Sequence, residues 1–379
     1  MKSTPLSGCK VSVVQRGHAR EHATDAHFMQ LAAHISSKPS SAVLLSGGAV
    51  ESGLENRYSM IAWDPFLRFI SKGQSCRVEG AERAHTLQRD PLELLDDLFA
   101  LFQPDFPLGT PPFAGGAVGY FAYDLKNIVE KLPTTAVDDV NLPDIFLFWP
   151  RQLLVHDRVR KKLVHLMFQY GRENVSLPVD SRGIANSTDS LLACRDGLFG
   201  LNEVHFPMTG TSTLVDFRVG DLQSNFAHED YLRAVSRVRR YIREGDVYQV
   251  NLSQRFQLPV AGNPFDLWRA LFQLNPTPFY AYLHADDHQV LSTSMERFLF
   301  RCGDYIETRP IKGTRKRGST TEEDRLLREE LCQSRKDDAE LSMIVDLLRN
   351  DLGRVCRPCS IRVAEHKRLE SYQSVHHLV

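Results

Sequence analysis

The chain predicts a mixed α+β protein, strand-rich with interspersed amphipathic helices. Short apolar runs bounded by glycine or proline dominate the first half and read as strands. One later stretch repeats apolar residues at helical spacing, at Tyr231, Val235, Val238 and Ile242. After it come consecutive strand-like runs with turns short enough for antiparallel pairing.

The elements follow in order. Residues up to about 20 are expected to be weakly tied down. Ala42-Val43-Leu44-Leu45-Ser46 is a short strand ended by Gly47-Gly48, and Ile145-Phe146-Leu147-Phe148-Trp149 is another, stopped by Pro150. Leu153–His156 and Leu163–Phe168 flank a charged stretch, 157–162, and read as a hairpin. From about Gly171 to Asp221 periodicity fades among Ser, Asn, Gly and Asp, which predicts a long, partly disordered connection. The helix after it turns Arg233, Arg237, Arg240 and Arg243 away from its apolar stripe and stops at Gly245. Ala227, at the expected N-cap, lacks a side-chain oxygen, which leaves Asn225 as a substitute. Strands are then expected at Val247–Phe256, Tyr280–Leu283, Val290–Ser294, Phe298–Cys302 and Tyr305–Thr308, and a helix at about Asp337–Asn350.

At 379 residues and 42% hydrophobic the chain can bury a substantial core, with two or three domains as the expectation from length. A formal net charge of −1 argues against a general nucleic-acid binder. No apolar run is long enough to span a bilayer, and Met1–Gly8 lacks the hydrophobic region of a signal peptide. Seven scattered cysteines suit reduced thiols, so a cytoplasmic location is expected. Cys356-Arg357-Pro358-Cys359 has redox or zinc spacing, but no second pair accompanies it and no such role is assigned.

Four residues carry the chemistry. In Arg309-Pro310-Ile311-Lys312-Gly313-Thr314 a lysine stands between a proline and a glycine, within five residues of Arg309, Arg315, Lys316 and Arg317. Neighbouring cations and burial both disfavour a protonated amine, and a lysine so activated can attack carbon. Spacing alone also allows a basic surface loop. Glu340 shares a helix face with Ile344, Leu347 and Asp351, so it points along an apolar stripe. A carboxylate there needs a cation, either an arginine such as Arg335 or Arg349, or a metal. Glu296 follows an alternating strand, where a solvated strand-end charge is the plain alternative. His377 closes a terminal histidine pair and reads equally as a buried histidine bonded to backbone.

Taken together, Ser294-Met295-Glu296-Arg297-Phe298, the Lys312 hexapeptide, Glu340–Val355, Val375-His376-His377-Leu378-Val379 and Gly245–Leu252 closely resemble the chorismate-utilising enzyme family. So does Pro112–Tyr120, with its three glycines, in the N-terminal half. The family includes anthranilate synthase component I, isochorismate and salicylate synthases, and aminodeoxychorismate synthase component I. In the anthranilate branch alanine typically stands where this chain has Lys312; the aminodeoxychorismate branch has lysine.

The resemblance implies two large antiparallel sheets packed face to face with helices outside. It implies an N-terminal region over 20–170, a variable connection over 171–221 and a chorismate-binding catalytic domain over 222–379. It makes Lys312 the nucleophile, Glu296 the acid at the leaving hydroxyl, and His377 a site residue near the ring substituents. Glu340 becomes a ligand of Mg²⁺, which holds the carboxylate of chorismate. Asp346, Arg349 and Asp351 support the site from behind. Ser46, Asn275 and Pro276 resemble the segments that bind tryptophan in the family. Ammonia comes from a separate glutamine amidotransferase subunit, component II, and the product feeds 4-aminobenzoate and folate synthesis. Family members continue beyond the position of Val379, so a fragment or truncated chain is expected, with its own activity open. The alternatives are anthranilate synthase component I, or a remnant that only binds the amidotransferase.

Overall fold

In this computed structural model the described residues are 13–20, 22–48, 56–80, 83–101, 115–133, 135–170 and 218–379. They fall into two compact units, one of the residues up to 170 together with 268–379, the other of residues 218–267. The expected connection from 171 to 221 lies almost wholly outside the described residues, as does Pro112–Ala114.

The chain opens with β1 (Val13–Arg20), α1 (Asp25–Ile35), β2 (Ser41–Leu45), β3 (Tyr58–Lys72), β4 (Ser75–Glu79) and β5 (Ala84–Gln88). Then come α2 (Pro91–Leu101), β6 (Val118–Phe121), α3 (Lys126–Val129), β7 (Ile145–Asp157) and β8 (Lys162–Tyr170). Thr24 starts α1 by accepting from the His27 amide, a side-chain cap on a donor the helix cannot itself satisfy. From residue 13 onward the N-terminal segment is hydrogen-bonded, since β1 pairs with β8 along its length, contrary to the weak tethering expected up to residue 20. The forecast hairpin at 153–168 is present as the end of β7 turning into β8, with Lys161 at φ 52°.

Pro150 does not stop the strand, as expected from the sequence, but lies inside β7. Its missing N–H is tolerated because it faces Pro65 of β3, at an irregularity between Pro65 and Leu67 where the ladder already breaks step. The same spot exchanges the faces. Ile145, Leu147 and Trp149 pack against Leu94, Leu95 and Leu98 of α2. Phe146 and Phe148 join Leu153, Val155, Leu166 and Leu283 on the other side. Odd-numbered residues thus leave the α2 side between Trp149 and Leu153.

The second unit holds β9 (Arg218–Val219), β10 (Gln223–Ser224), α4 (His228–Glu244), β11 (Phe256–Gln257) and β12 (Val260–Ala261). Gly245 ends α4 at φ 82°, as expected. Ala227 makes no side-chain cap, and Asn225 does not replace it: its Oδ1 accepts from the Arg255 amide instead. The strand expected at Val247–Phe256 is absent; only Phe256–Gln257 pairs, with β10. An extended run becomes a strand only where a neighbouring strand runs alongside it, and here β10 and Asn225 meet only its end, at Arg255 and Phe256.

Helix α5 (Pro264–Leu274) leads into β13 (Tyr280–Ala285) and β14 (His288–Ser292). This hairpin joins the N-terminal sheet rather than the later strands. β13 pairs with β2, giving a ten-stranded antiparallel sheet in the order β1-β8-β7-β3-β2-β13-β14, with β4 and β5 beyond β3 and β6 on β7. Trp268 of α5 is fully buried against Tyr280 and Tyr282 and donates from Nε1 to the Ser292 carbonyl at 3.0 Å.

The remaining strands are β15 (Arg297–Cys302), β16 (Tyr305–Arg309), β17 (Lys312–Lys316), β18 (Leu369–Ser371) and β19 (Val375–Leu378). The helices α6 (Thr321–Gln333) and α7 (Arg335–Gly353) lie between β17 and β18. β15 and β16 form a two-stranded hairpin turned at Gly303, φ 58°, and β17-β19-β18 a three-stranded sheet. Leu331 of α6, Leu341 of α7 and Leu378 of β19 form the small core beneath that sheet. The class is α+β, as expected. The second large sheet of that expectation is represented among the described residues by these small sheets, whose strands are short and interrupted by helices.

Candidate active site

Lys312 opens β17, and the ladder to β19 shifts by one residue directly after it: Lys312 opposes Leu378, whereas Thr314 opposes His377. The extra residue is Gly313, at φ 78°. A bulge of this kind re-aims the preceding side chain, and glycine adopts the left-handed conformation without steric cost. A Cβ at Gly313 would also meet Asp337 Cβ at 2.9 Å and Leu331 Cδ1 at 3.0 Å. Gly313→Ala is therefore expected to cost about 2–4 kcal/mol of stability, read as a lower urea midpoint, from backbone strain plus overpacking.

Around Lys312 the structure assembles three of the expected partners. Its Nζ lies 4.0 Å from Glu340 Oε1, with the two side chains 28% and 36% exposed. Glu296 Oε1 accepts from the amide of Ile311, the residue before the lysine, at 3.0 Å. His377 lies across the ladder, its Nδ1 2.9 Å from Thr314 Oγ1 and its Nε2 facing the Met295 sulfur.

The cations that crowd Lys312 in sequence do not crowd it uncompensated in space. Arg309 pairs with Glu307 at 2.6 Å, and Arg315 with Glu330 at 2.8 Å and Asp337 at 3.1 Å. Lys316 lies 3.7 Å from Glu323, and Arg317 binds Asp324 through Nε and Nη2 at 2.7 and 3.0 Å. Glu307 is two residues from Arg309 on the same strand, but the other carboxylates sit on α6 and α7, too far along the chain for local spacing to reveal.

Two other expectations are corrected. The buried stripe of α7 runs through Asp337, Leu341 and Val345, not through Glu340, Ile344 and Leu347, of which Leu347 is 43% exposed. Glu340 therefore stands one residue, about 100°, off the buried line and is half-exposed. Glu296 is exposed, as a strand-end charge would be, yet anchored by its bond to backbone. Asp346 and Arg349 pair with each other at 3.0 Å on an exposed face, and Asp351 is also exposed, so none of the three packs behind the site.

His377 is buried, and burial pushes its imidazole below the ordinary histidine value, against bonding to the Gly313 backbone and the nearby Glu370 and Glu296 carboxylates. The ring is neutral at neutral pH, able to donate or accept a proton. His156 is shifted the same way, chiefly by burial. The unfolded chain takes up these protons first as pH falls through about 6.5. Stability should thus decline from there until the folded rings titrate, by at most about 1.4 kcal/mol per pH unit for each ring. Urea melts at pH 7.5 and 5.5 check this, and His377→Gln should remove part of the difference.

Ser46, Asn275 and Pro276 come together. The Gly47 amide donates to the Thr277 carbonyl at 3.1 Å, and a Cβ on Gly47 would lie 2.6 Å from the Pro276 carbonyl carbon. Ser46 Oγ donates to the Tyr58 carbonyl at 2.6 Å, and Asn275 Oδ1 accepts from Ser374 at 2.8 Å. Residues 49–55 of this region lie outside the described ones.

Sequence reasoning missed Asp337, the buried carboxylate behind the bulge, Asp324, which holds Arg317 just past β17, and Met295 beside His377. Asp337 was findable as the residue one turn before Leu341. Among the described residues no group of three or more His, Cys, Asp or Glu could hold a metal ion. Mg²⁺ needs less: one or two protein carboxylates, with water and substrate oxygens completing its shell. Glu340, a hard oxygen donor open to water, fits one such ligand. No helix among the described residues is long and apolar enough to cross a membrane.

The family model described as chorismate binding enzyme matches residues 49–379. The chain is 37% identical over 334 residues to anthranilate synthase component 1 of Thermus thermophilus, covering 87% of this chain and 67% of that protein. It is 35% identical over 377 residues to aminodeoxychorismate synthase component 1 of Klebsiella aerogenes, covering 99% and 75%. The structure resembles that of anthranilate synthase component I from Streptococcus pneumoniae, with a TM-score of 0.65, 25% identity and coverage of 87% and 71%.

Proposed function

Since this chain belongs to the family of chorismate binding enzymes, we propose that it serves aminodeoxychorismate formation, joining ammonia to chorismate to give 4-amino-4-deoxychorismate. The observation that carries the reading is the lysine at 312, set on a bulged strand beside Glu340 and next to the backbone amide that holds Glu296. An alanine there would read as the anthranilate branch.

In this mechanism the Lys312 amine, once it has given up its proton, bonds to C2 of chorismate as the C4–oxygen bond breaks. Glu296 gives its proton to the departing hydroxyl, which leaves as water. Ammonia then bonds to C4, the C2–nitrogen bond breaks, and Lys312 is regenerated as Glu296 recovers a proton. Two easier displacements replace one difficult one. His377, neutral and buried, is placed to hydrogen-bond a ring substituent. Mg²⁺ held by Glu340 would supply positive charge for a ring carboxylate. Ammonia is proposed to come from a glutamine amidotransferase subunit, the site of action to be cytoplasmic, and the product to serve 4-aminobenzoate and folate synthesis. Tryptophan binding at Ser46, Asn275 and Pro276 is a separate proposal, which calorimetric titration without heat would remove.

The test is product analysis with chorismate, Mg²⁺ and ¹⁵N-ammonium. The expected product carries one ¹⁵N and keeps its enolpyruvyl group. Anthranilate formation would instead release pyruvate, and isochorismate would carry no ¹⁵N. No conversion of chorismate, with the amidotransferase subunit still bound, would favour a binding-only role.

A further inference from the structure

Ser371, His376 and Asp324 form a hydrogen-bonded chain apart from the site above. Successive strand residues point to opposite faces. While His377 looks toward Thr314 and Met295, its neighbour His376 looks toward α6. Exposed Ser371, on β18, has its Oγ 2.8 Å from His376 Nδ1. His376 is wholly buried, and its Nε2 lies 2.9 Å from Asp324 Oδ1. Asp324 also accepts from Arg317 through both oxygens and from the Gly318 amide at 2.9 Å. The Arg317 bonds, first among these, hold its carboxyl well below the usual carboxylate range.

These partners fix the direction of every bond. An ionised Asp324 can only accept, so His376 Nε2 carries the hydrogen. In the neutral ring Nδ1 then keeps its lone pair, and the Ser371 hydroxyl must be the donor. Serine to imidazole to carboxylate is the order that activates a hydroxyl as a nucleophile. The turn that carries Ser371 is itself clamped, since Arg317 Nη1 donates to the Tyr372 carbonyl at 2.7 Å and its amide to the Ser374 carbonyl at 3.0 Å. Ser374, exposed in the same turn, gives the contrast: its hydroxyl goes to Asn275 Oδ1.

We propose that Ser371 is a nucleophilic serine, with His376 as its base and Asp324 as the group that orients the base, and that it takes an acyl or phosphonyl group from a small activated ester or fluoride. With a fluorophosphonate the Ser371 oxygen–phosphorus bond forms and the phosphorus–fluorine bond breaks. The serine proton passes to His376 Nδ1 and on to solvent, and fluoride leaves. With an activated ester the alkoxide or phenolate leaves in place of fluoride.

The experiment treats the intact protein with a biotinylated fluorophosphonate and maps the label by tryptic digestion and fragmentation. Ser371 and Ser374 fall in the same peptide after Arg368, so they are compared within one molecule. General-base assistance is worth about 10²-fold or more, so Ser371 is expected to label about 10²-fold faster than Ser374. His376→Gln should bring the two rates together, and Ser371→Ala should abolish the fast label. Equal rates in the unmodified protein would overturn the proposal without recourse to any variant. Fast labelling that survives His376→Gln would overturn the role of the imidazole. None of these readouts depends on chorismate.

Discussion

Lys312→Ala is expected to slow aminodeoxychorismate formation by about 10²- to 10³-fold, equivalent to about 2.7–4 kcal/mol of barrier. The loss is one of route, not of fold. Lys312 is partly exposed and its ring of charged neighbours is satisfied by other partners, so circular dichroism and the urea midpoint should hardly move. Mass spectrometry of the parent incubated with chorismate and Mg²⁺, without ammonia, should show an adduct on the peptide containing Lys312; the alanine variant should show none. Residual amination in the variant should fall at C2, because C2 then carries no lysine amine for ammonia to expel by attack at C4. A variant that formed aminodeoxychorismate at the parental rate would eliminate the covalent route. Lys312→Arg should fail almost as badly, since a guanidinium stays protonated and is no nucleophile.

The largest stability effect is expected from Gly119→Ala. A Cβ there would lie 1.8 Å from the Phe146 carbonyl oxygen and 2.9 Å from Leu147 Cα. These are backbone atoms of the central strand β7, so no rotamer change relieves the overlap. Strand β6 would have to leave β7, losing the pairing of Val118–Phe121 with Ile145–Phe148 and the 3.0 Å bond from Tyr120 to His288. We expect at least about 3 kcal/mol of destabilisation, at the upper end of overpacking costs. Hydrogen exchange should localise the damage to 118–121 and 145–148. Fast exchange spread over the whole sheet would show instead that β6 is needed for the sheet to form at all.

What the sequence disclosed depended on how local its cause was. The hairpins at 153–168 and 297–309 were legible because turn residues and alternating runs lie next to each other. Helix α4 and its glycine stop were legible for the same reason. Gly119 stands in the glycine-rich Pro112–Tyr120 stretch, but its need for hydrogen in place of a side chain comes from Phe146, a residue on another strand. Pro150 misled because its tolerance depends on Pro65 opposite it. Val247–Phe256 misled because strand propensity has no outcome without a partner. In α7 two stripes one residue apart are both apolar enough to be buried. Leu331 and Leu378 select the one through Leu341, and with it the orientation of Glu340. The identities of Lys312, Glu296, Glu340 and His377 came from the resemblance. Their juxtaposition, the bulge at Gly313 and the carboxylates that quench the neighbouring arginines needed the fold.

The insertion of Tyr280–Ser292 beside β2 has a consequence for the newborn chain. The Ser40–Asp286 hydrogen bond closes a loop of 246 residues, so the edge of β2 waits bare while everything between is still being translated. At ordinary elongation speeds that wait is about 12–50 s. Throughout it a ribosome-held nascent polypeptide presents Ala42, Val43 and Leu45 to whatever chaperone or like strand it meets.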